Sequence, residues 1–284
     1  MAKFNLLKGR NHTLNLAGRL LVLNNPIVMG IINLTPDSFF DGGTLETEKD
    51  LLNRVEKQLT DGAIILDLGA YSSRPNAKDI SEEEELARLI PNLKAVLSAF
   101  PDAITSVDTF RSNVGRQALD NGALLINDIS GGELDSELPK VAAEFRVPYI
   151  CMHMKGTPQN MQNNLEETEI MPDLLKHFSF KLKELNSLGL NDVIIDPGFG
   201  FGKTLDQNYE ILSKFETLAN FGAPVLAGIS RKSMINRVLD TKPDQALNGT
   251  TALHMSLLDR GANILRVHDV KEAVETVKLF GKIT

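Results

Sequence analysis

Short, continuously apolar runs alternate along this chain with longer stretches whose apolar residues recur at helical spacing. Eight runs stand out, at residues 27–33, 63–69, 103–108, 124–128, 147–153, 192–196, 224–229 and 263–267. They are apolar at consecutive positions, as strands buried on both faces should be. Between the runs, Leu51, Leu52, Val55 and Leu59 share one helical face. Ser81 followed by Glu84 predicts a capping box that opens a helix continued by Leu86, Leu89 and Ile90. Asn121-Gly122 and Leu188-Gly189 predict helix ends. Repeated strand–helix units predict an α/β fold, a (β/α)8 TIM barrel. Residues 4–24 precede the first unit and predict a β-hairpin covering the barrel bottom, with Gly9-Arg10-Asn11 at its turn. The expected organisation is one domain over residues 1–284, with the hairpin in 1–25 and the barrel in 26–284.

Polarity enters this pattern where the apolar runs end. The ends carry Asn33, Gly69 to Arg74, Asp108, Asn127-Asp128, His153, Asp196, Ser230 to Ser233, and Arg266 to His268. In a β/α barrel the C-terminal strand ends surround one mouth, where active sites sit. Any one of these residues could simply terminate a strand, but polar groups at nearly every end predict a site.

Composition narrows the class. A chain of 284 residues with 42% hydrophobic and 24% charged residues fits a globular protein with one large core. Net charge is −7, with both signs scattered, which excludes a long basic nucleic-acid surface. Cationic side chains clustered within such an acidic chain therefore point to an anionic ligand. The single cysteine, Cys151, excludes an internal disulfide and fits a reducing compartment. The N-terminal sequence lacks signal-peptide features, so a cytoplasmic location is expected.

The strand-end clusters suggest particular chemistry. Asn33-Leu-Thr-Pro-Asp-Ser-Phe-Phe-Asp-Gly-Gly43 offers amide and carboxylate oxygens suited to a hard cation such as Mg²⁺, or to ordinary Asx turns. Phe39 and Phe40 suit a lid over a flat ligand. Asp196-Pro-Gly-Phe-Gly-Phe-Gly-Lys203-Thr204 nearly matches a nucleotide phosphate loop, but Pro197 stands where the first glycine is required. It reads better as a glycine-rich wall presenting Phe201, with Asp196 able to grip adjacent N–H donors of a heterocycle or to cap the following turn. Ser230-Arg-Lys-Ser233 and Arg266-Val-His268 concentrate cations after the seventh and eighth strands, where barrels often bind phosphate. His12, His177 and His254 read as surface or packing residues. No H-E-x-x-H, C-x-x-C or G-x-S-x-G spacing occurs, so zinc or serine acyl chemistry has no support.

The same segments resemble the motifs of the dihydropteroate synthases, a pterin-binding TIM-barrel family. Gly30-Ile-Ile-Asn-Leu-Thr-Pro-Asp-Ser-Phe, Ser72-Ser-Arg-Pro, Ser106-Val-Asp108-Thr, Ile126-Asn-Asp-Ile, Met152-His-Met, Asp196-Pro-Gly-Phe-Gly-Phe-Gly-Lys, Ser230-Arg-Lys-Ser-Met and Arg266-Val-His-Asp-Val follow in the family's order over residues 26–280. The resemblance implies condensation of 6-hydroxymethyl-7,8-dihydropterin pyrophosphate with p-aminobenzoate, giving 7,8-dihydropteroate and pyrophosphate in folate synthesis. It implies a pterin site at Ser73, Asp108, Asn127, Met152, Asp196 and Lys232. Pyrophosphate would be held by Asn33, Arg74, Arg266 and His268, with Mg²⁺ on Asn33. Phe39, Pro75, Phe201, Arg231, Lys232 and Ser233 would line the p-aminobenzoate slot.

The catalytic set would be Asp108, Asp196, Lys232, Arg266 and His268, in an SN1-like displacement. A homodimer and sulfonamide sensitivity are further family expectations. The sequence departs from the common pattern at Ala70-Tyr-Ser-Ser-Arg-Pro-Asn76, where many relatives have Gly-Glu-Ser-Thr-Arg-Pro-Gly, and at Phe40, where many have a small polar residue. Competing readings are a non-catalytic pterin-binding homologue and a folate-dependent methyltransferase barrel.

Overall fold

A computed structural model describes residues 12–35, 47–72, 79–161, 165 and 168–283. After a hairpin of β1 (His12–Leu16) and β2 (Arg19–Leu23) come eight parallel strands. These are β3 (Ile27–Asn33), β4 (Ile65–Gly69), β5 (Ile104–Asp108), β6 (Leu125–Asp128), β7 (Tyr149–Met152), β8 (Val193–Asp196), β9 (Leu226–Ala227) and β10 (Ile264–Val267). Each pairs with the next in sequence from β3 to β8, β9 pairs with β10, and β10 returns to β3. A parallel bridge between Ile195 and Val225 closes the ring. The expected TIM barrel is what the chain forms.

Helices α1 (Glu48–Asp61), α2 (Glu82–Ala99), α3 (Ser112–Asp120), α4 (Leu138–Phe145), α5 (Ile170–Ser187), α6 (Leu205–Ser213), α7 (Ser233–Leu239), α8 (Leu247–Asp259) and α9 (Val270–Ile283) surround the barrel. At α2 the Ser81 hydroxyl accepts from the Glu84 N–H, one half of the expected capping box, while the Glu84 carboxylate pairs with Arg88. A reciprocal capping box forms at α1, where Thr47 and Asp50 bond to each other's backbone N–H. The unit after β9 carries two helices, α7 and α8, where the sequence pattern suggests one.

Parity along each strand decides what faces the barrel axis. Met29, Ile65, Ile104, Leu125, Ile150, Ile194, Leu226 and Ile264, one from each barrel strand, form a single buried cluster. Leu14, Leu16 and Leu23 of the hairpin join it and plug the bottom. Residues one position further on, such as Leu66, Ile126, Cys151 and Ile195, pack instead into the larger cluster between barrel and helices. Cys151 is wholly buried there, and burial pushes its thiol well above the ordinary range.

The hairpin covers the bottom as expected, but its turn is Ala17-Gly18 (φ 50° and 100°), not Gly9-Arg10-Asn11, which lies outside the described residues. The register Leu16↔Arg19 through His12↔Leu23 leaves those two residues at the tip. Gly18 N–H donates to Asn15 Oδ1 at 2.7 Å, closing the turn. Facing Leu14, Leu16 and Leu23 toward the barrel outweighs the cost of alanine in a left-handed conformation.

Truncating the plug tests its contribution. Leu16→Ala is expected to lower unfolding free energy by about 2–4 kcal/mol in urea denaturation while leaving ligand affinity at the distant mouth unchanged.

Candidate active site

Stepping two residues along each strand from the apolar floor gives the next inward layer: Ile31, Asp67, Ser106, Asn127, Met152, Asp196, Gly228 and Arg266. A further step gives Asn33, Gly69, Asp108, Ile129, Met154, Gly198, Ser230 and His268. Most strand-end residues singled out from the sequence fall on these two layers. The polar mouth follows directly from the apolar floor.

Asp67, entirely buried on β4, organises the layer. Its Oδ2 accepts from Arg266 Nε at 2.6 Å and from Asn127 Nδ2 at 2.9 Å. Arg266 also donates through Nη2 to Asp108 Oδ2 at 2.7 Å. Opposed carboxylates so near one another would repel; the guanidinium between them allows both, and they in turn raise its pKa. Burial nonetheless pushes Asp108 up to about 7, against the pull of Arg266 and helped by the nearby Asp67 charge. Asp196 is also pushed up by burial, opposed by Lys232 and by the Gly198 N–H that donates to its Oδ1 at 2.7 Å.

Two polar atoms of this interior, Asp67 Oδ1 and Ser106 Oγ, are buried without a hydrogen-bond partner among the described residues. Among the described residues, a Cβ at Gly228 would meet only Asp196 Oδ2 and Leu226 Cδ2, both at 3.9 Å. Those residues leave room beside Asp196. Ile129, Met152, Met154, Met161, Phe110 and Phe201 form its apolar wall. A flat heterocycle with N–H donors on one edge matches such a space: carboxylates to accept, an amide, and an apolar face.

The glycine-rich loop after β8 supplies the opposite side. Its left-handed Gly198 lets the backbone pass so close to β7 that a Cβ would lie 2.1 Å from the His153 carbonyl. Lys203 is buried beneath, donating to the carbonyls of His153 (3.1 Å), Gly198 (2.9 Å) and Phe201 (3.0 Å). This explains the near-phosphate-loop sequence: the lysine closes its own loop. Lys232 reaches over the Phe201 ring, 4.4 Å from its centroid, and donates to the Phe199 carbonyl. Burial lowers it to about 8, with Asp196 and Asp108 opposing the fall.

His268 approaches Ser230, with Nδ1 and Oγ 3.1 Å apart. Asn33 ends β3, its carbonyl accepting from Arg54 Nη2 at 2.9 Å. Arg231 pairs with Asp269 through Nε at 2.7 Å and through Nη2. Ser233 is the exposed first residue of α7. Phe39, Phe40, Ser73, Arg74, Pro75 and Asn76 lie outside the described residues.

Parity also removes two strand-end residues from the mouth. Asp128 faces outward, accepting from Tyr149 Oη, Ser130 and the Gly132 N–H. His153 faces α5, its ring centroid 4.8 Å from that of His177.

A model of pterin-binding enzymes matches residues 29–268. The chain belongs to that family. A dihydropteroate synthase of Escherichia coli (strain K12) is 39% identical over 264 residues, covering 92% of this chain and 93% of its own. A dihydropteroate synthase of Yersinia pestis, solved as a complex with a sulfonamide drug, superposes with a TM-score of 0.90 at 38% identity, covering 96% of this chain and 99% of that one. One of Xanthomonas albilineans, solved with 7,8-dihydropteroate, has a TM-score of 0.85 at 33% identity, covering 96% and 98%.

Sequence reasoning missed two interior residues of this pterin-binding enzyme, Asp67 and Ser106, because both sit inside strands read as apolar. The available signal was a lone carboxylate two positions past an inward isoleucine. Lys203 offers a test of the loop. Lys203→Met keeps the length but leaves three carbonyls without their donor, and is expected to cost about 2 kcal/mol in urea denaturation.

Proposed function

We propose that this pterin-binding enzyme is a dihydropteroate synthase, joining 6-hydroxymethyl-7,8-dihydropterin pyrophosphate to p-aminobenzoate with release of pyrophosphate. The observation that carries this reading is the inward layer itself, where Asp67, Asn127, Asp196 and Arg266 share one opening with Asp108 and Lys232 above. Asp196 would accept from the pterin's adjacent N–H groups, with Asp108 and Asn127 on the same edge. Lys232 would donate to the ring, and Met152 would pack against its face.

The difficult step is heterolysis of the bond between the pterin methylene carbon and the pyrophosphate oxygen. The electron pair leaves with pyrophosphate, and positive charge spreads into the pterin. Fixed carboxylates at Asp108 and Asp196 favour that cation, while Arg266 and His268 face the side where negative charge collects. Arg266 has five N–H donors, and its contacts with Asp67 and Asp108 use two of them. The amine lone pair of p-aminobenzoate then forms the carbon–nitrogen bond and loses a proton to solvent. Phe201 and Lys232 support the aromatic carboxylate's place at the mouth. Ser233 is near in sequence, whereas Arg231 would have to exchange its Asp269 partner to reach that carboxylate.

Mg²⁺ fits as a partner of the substrate. Among the described residues no three His, Cys, Asp or Glu side chains gather as a cage, and Mg²⁺ commonly takes one or two protein oxygens plus phosphate and water. Asn33 would supply such an oxygen, and the bound ion would neutralise charge on the leaving group. A cytoplasmic homodimer, sensitive to sulfonamides as mimics of p-aminobenzoate, completes the reading. A non-catalytic homologue or methyltransferase would not need the cationic pair of strand ends.

Pyrophosphate release should require both substrates and Mg²⁺; methyl transfer, or pterin binding without release, would reject the assignment. Asp196→Asn and Lys232→Ala should each weaken pterin binding at least about tenfold by calorimetry. The pH profile of kcat/KM should be bell-shaped. Activity falls as pH drops through about 7, because Asp108 must be a carboxylate, and falls again above about 8 as Lys232 loses its proton. In Lys232→Arg, whose guanidinium does not titrate, the alkaline limb should vanish from whatever activity remains.

A further inference from the structure

The glycine-rich wall meets Lys232 through one peptide group, the one joining Phe199 to Gly200. Its carbonyl accepts from Lys232 Nζ. Its N–H donates to Asn208 Oδ1 at 2.6 Å. Asn208 lies on α6, is almost fully buried, and has no part in the chemistry assigned above. Its other amide atom, Nδ2, donates to the carbonyls of Thr204 at 2.6 Å and Lys203 at 3.3 Å. Turning the amide over would set its oxygen against two carbonyls and its nitrogen against an N–H. Oδ1 is therefore fixed toward Gly200.

The local backbone leaves the Phe199–Gly200 peptide two orientations. Phe201 N–H donates to the Gly198 carbonyl at 3.1 Å, closing a β-turn with Phe199 and Gly200 at its centre. Gly200 has φ 83°, as the third position of a type II turn requires. A type I turn has the same ends and differs mainly by rotating the central peptide through about 180°. In that orientation the Phe199 carbonyl would face the Asn208 oxygen, and an N–H would face the Lys232 ammonium. Asn208 excludes it. Phe199 itself is anchored away from the mouth, wholly buried and stacked on Phe215 with centroids 6.2 Å apart. A Cβ at Gly200 would lie 3.5 Å from Lys232 Cδ, so loop and lysine stem are in contact. Donation from the N–H to Asn208 also polarises the peptide, making its carbonyl a better acceptor for the ammonium.

We propose that Asn208 is a positioning residue for Lys232, selecting the peptide orientation that holds the ammonium over the Phe201 ring at the mouth. This deepens the reading of Lys232 as a donor to the pterin, and its binding test rests on that reading. Asn208 acts only through the peptide and the lysine, so its effect should vanish when the lysine is gone.

Asn208→Leu roughly keeps the volume and removes the amide. Pterin affinity by calorimetry should fall about fivefold, whereas the same change in a Lys232→Ala background should add nothing. A residue needed only for folding would weaken binding in both backgrounds. A second readout needs no substrate: the pH dependence of Lys232 acetylation, followed by mass spectrometry of the labelled peptide. The Phe199 carbonyl favours the protonated ammonium, so its loss should lower the midpoint by about half a pH unit. The charged groups that act on Lys232, namely Asp196, Arg266, Asp108 and Lys203, are unchanged by the substitution. Asn208→Asp retains an oxygen for the Gly200 N–H and should leave the midpoint at or above that of wild type. Asn208→Ser, too short to reach Gly200, carries the same expectations as Asn208→Leu should the larger change prevent folding. Additive losses of affinity, a midpoint that does not fall in Asn208→Leu or Asn208→Ser, or an equal fall in Asn208→Asp would each overturn the proposal. A wild type that binds no pterin would instead reject the assigned reaction, and the acetylation midpoints would then decide the role of Asn208.

Discussion

Everything in this molecule depends on a closed parallel barrel in which side chains alternate strictly between the inside and the helical shell. Eight strands contribute one apolar residue each to the floor, and that choice fixes what lies above. Two residues further along, the same strands present Asp67, Asn127, Met152, Asp196 and Arg266 to a common axis. A shift of one residue in any strand would exchange a mouth residue for one that packs against a helix. The hairpin plug reinforces the register from below by filling the floor with Leu14, Leu16 and Leu23.

Given that frame, electrostatics determines how an acidic layer can be buried. Arg266 lies between Asp67 and Asp108, and Asn127 adds a further donor to Asp67. Across the mouth, Asp196 is held by the Gly198 N–H and faces the charge of Lys232. Neither carboxylates nor cations are left unopposed, which would be costly at such depth. Beside Gly228, and at the Asp67 and Ser106 oxygens that have no partner among the described residues, a ligand's polar edge can add hydrogen bonds. Preorganised charge of this kind favours a reaction in which charge separates, because the dipoles are already oriented when the bond breaks.

The glycine-rich segment after β8 shows how local sequence can mislead about chemistry while being right about shape. Its spacing approaches that of a phosphate loop, yet Lys203 turns inward to three backbone carbonyls. The glycines serve close approach to β7, as the 2.1 Å separation of a notional Gly198 Cβ from the His153 carbonyl demonstrates. The near-match reflects a shared need for a tight turn at the end of a strand, with a lysine used for structure.

Continuous apolar runs, capping residues and polar strand ends were enough to identify the barrel, its strand positions and most of the mouth. These are local properties, written in consecutive residues. Ranking strand-end residues by polarity alone, however, placed His153 and Asp128 with the site and overlooked Asp67. Facing depends on the register of a whole strand against its neighbours. The hairpin turn was misplaced for a related reason: Ala17-Gly18 carries a weaker turn signal than Gly9-Arg10-Asn11, but only the former lets the leucines reach the floor. Likewise nothing in the sequence near Arg231 signals its left-handed backbone or its pairing with Asp269, 38 residues away. The local pattern alone determined which chemical groups gather at one end of the barrel, because strand ends are encoded in consecutive residues. Only tertiary packing decided which of them share the interior and which charges neutralise one another, because those depend on contacts between residues as distant as Asp67 and Arg266.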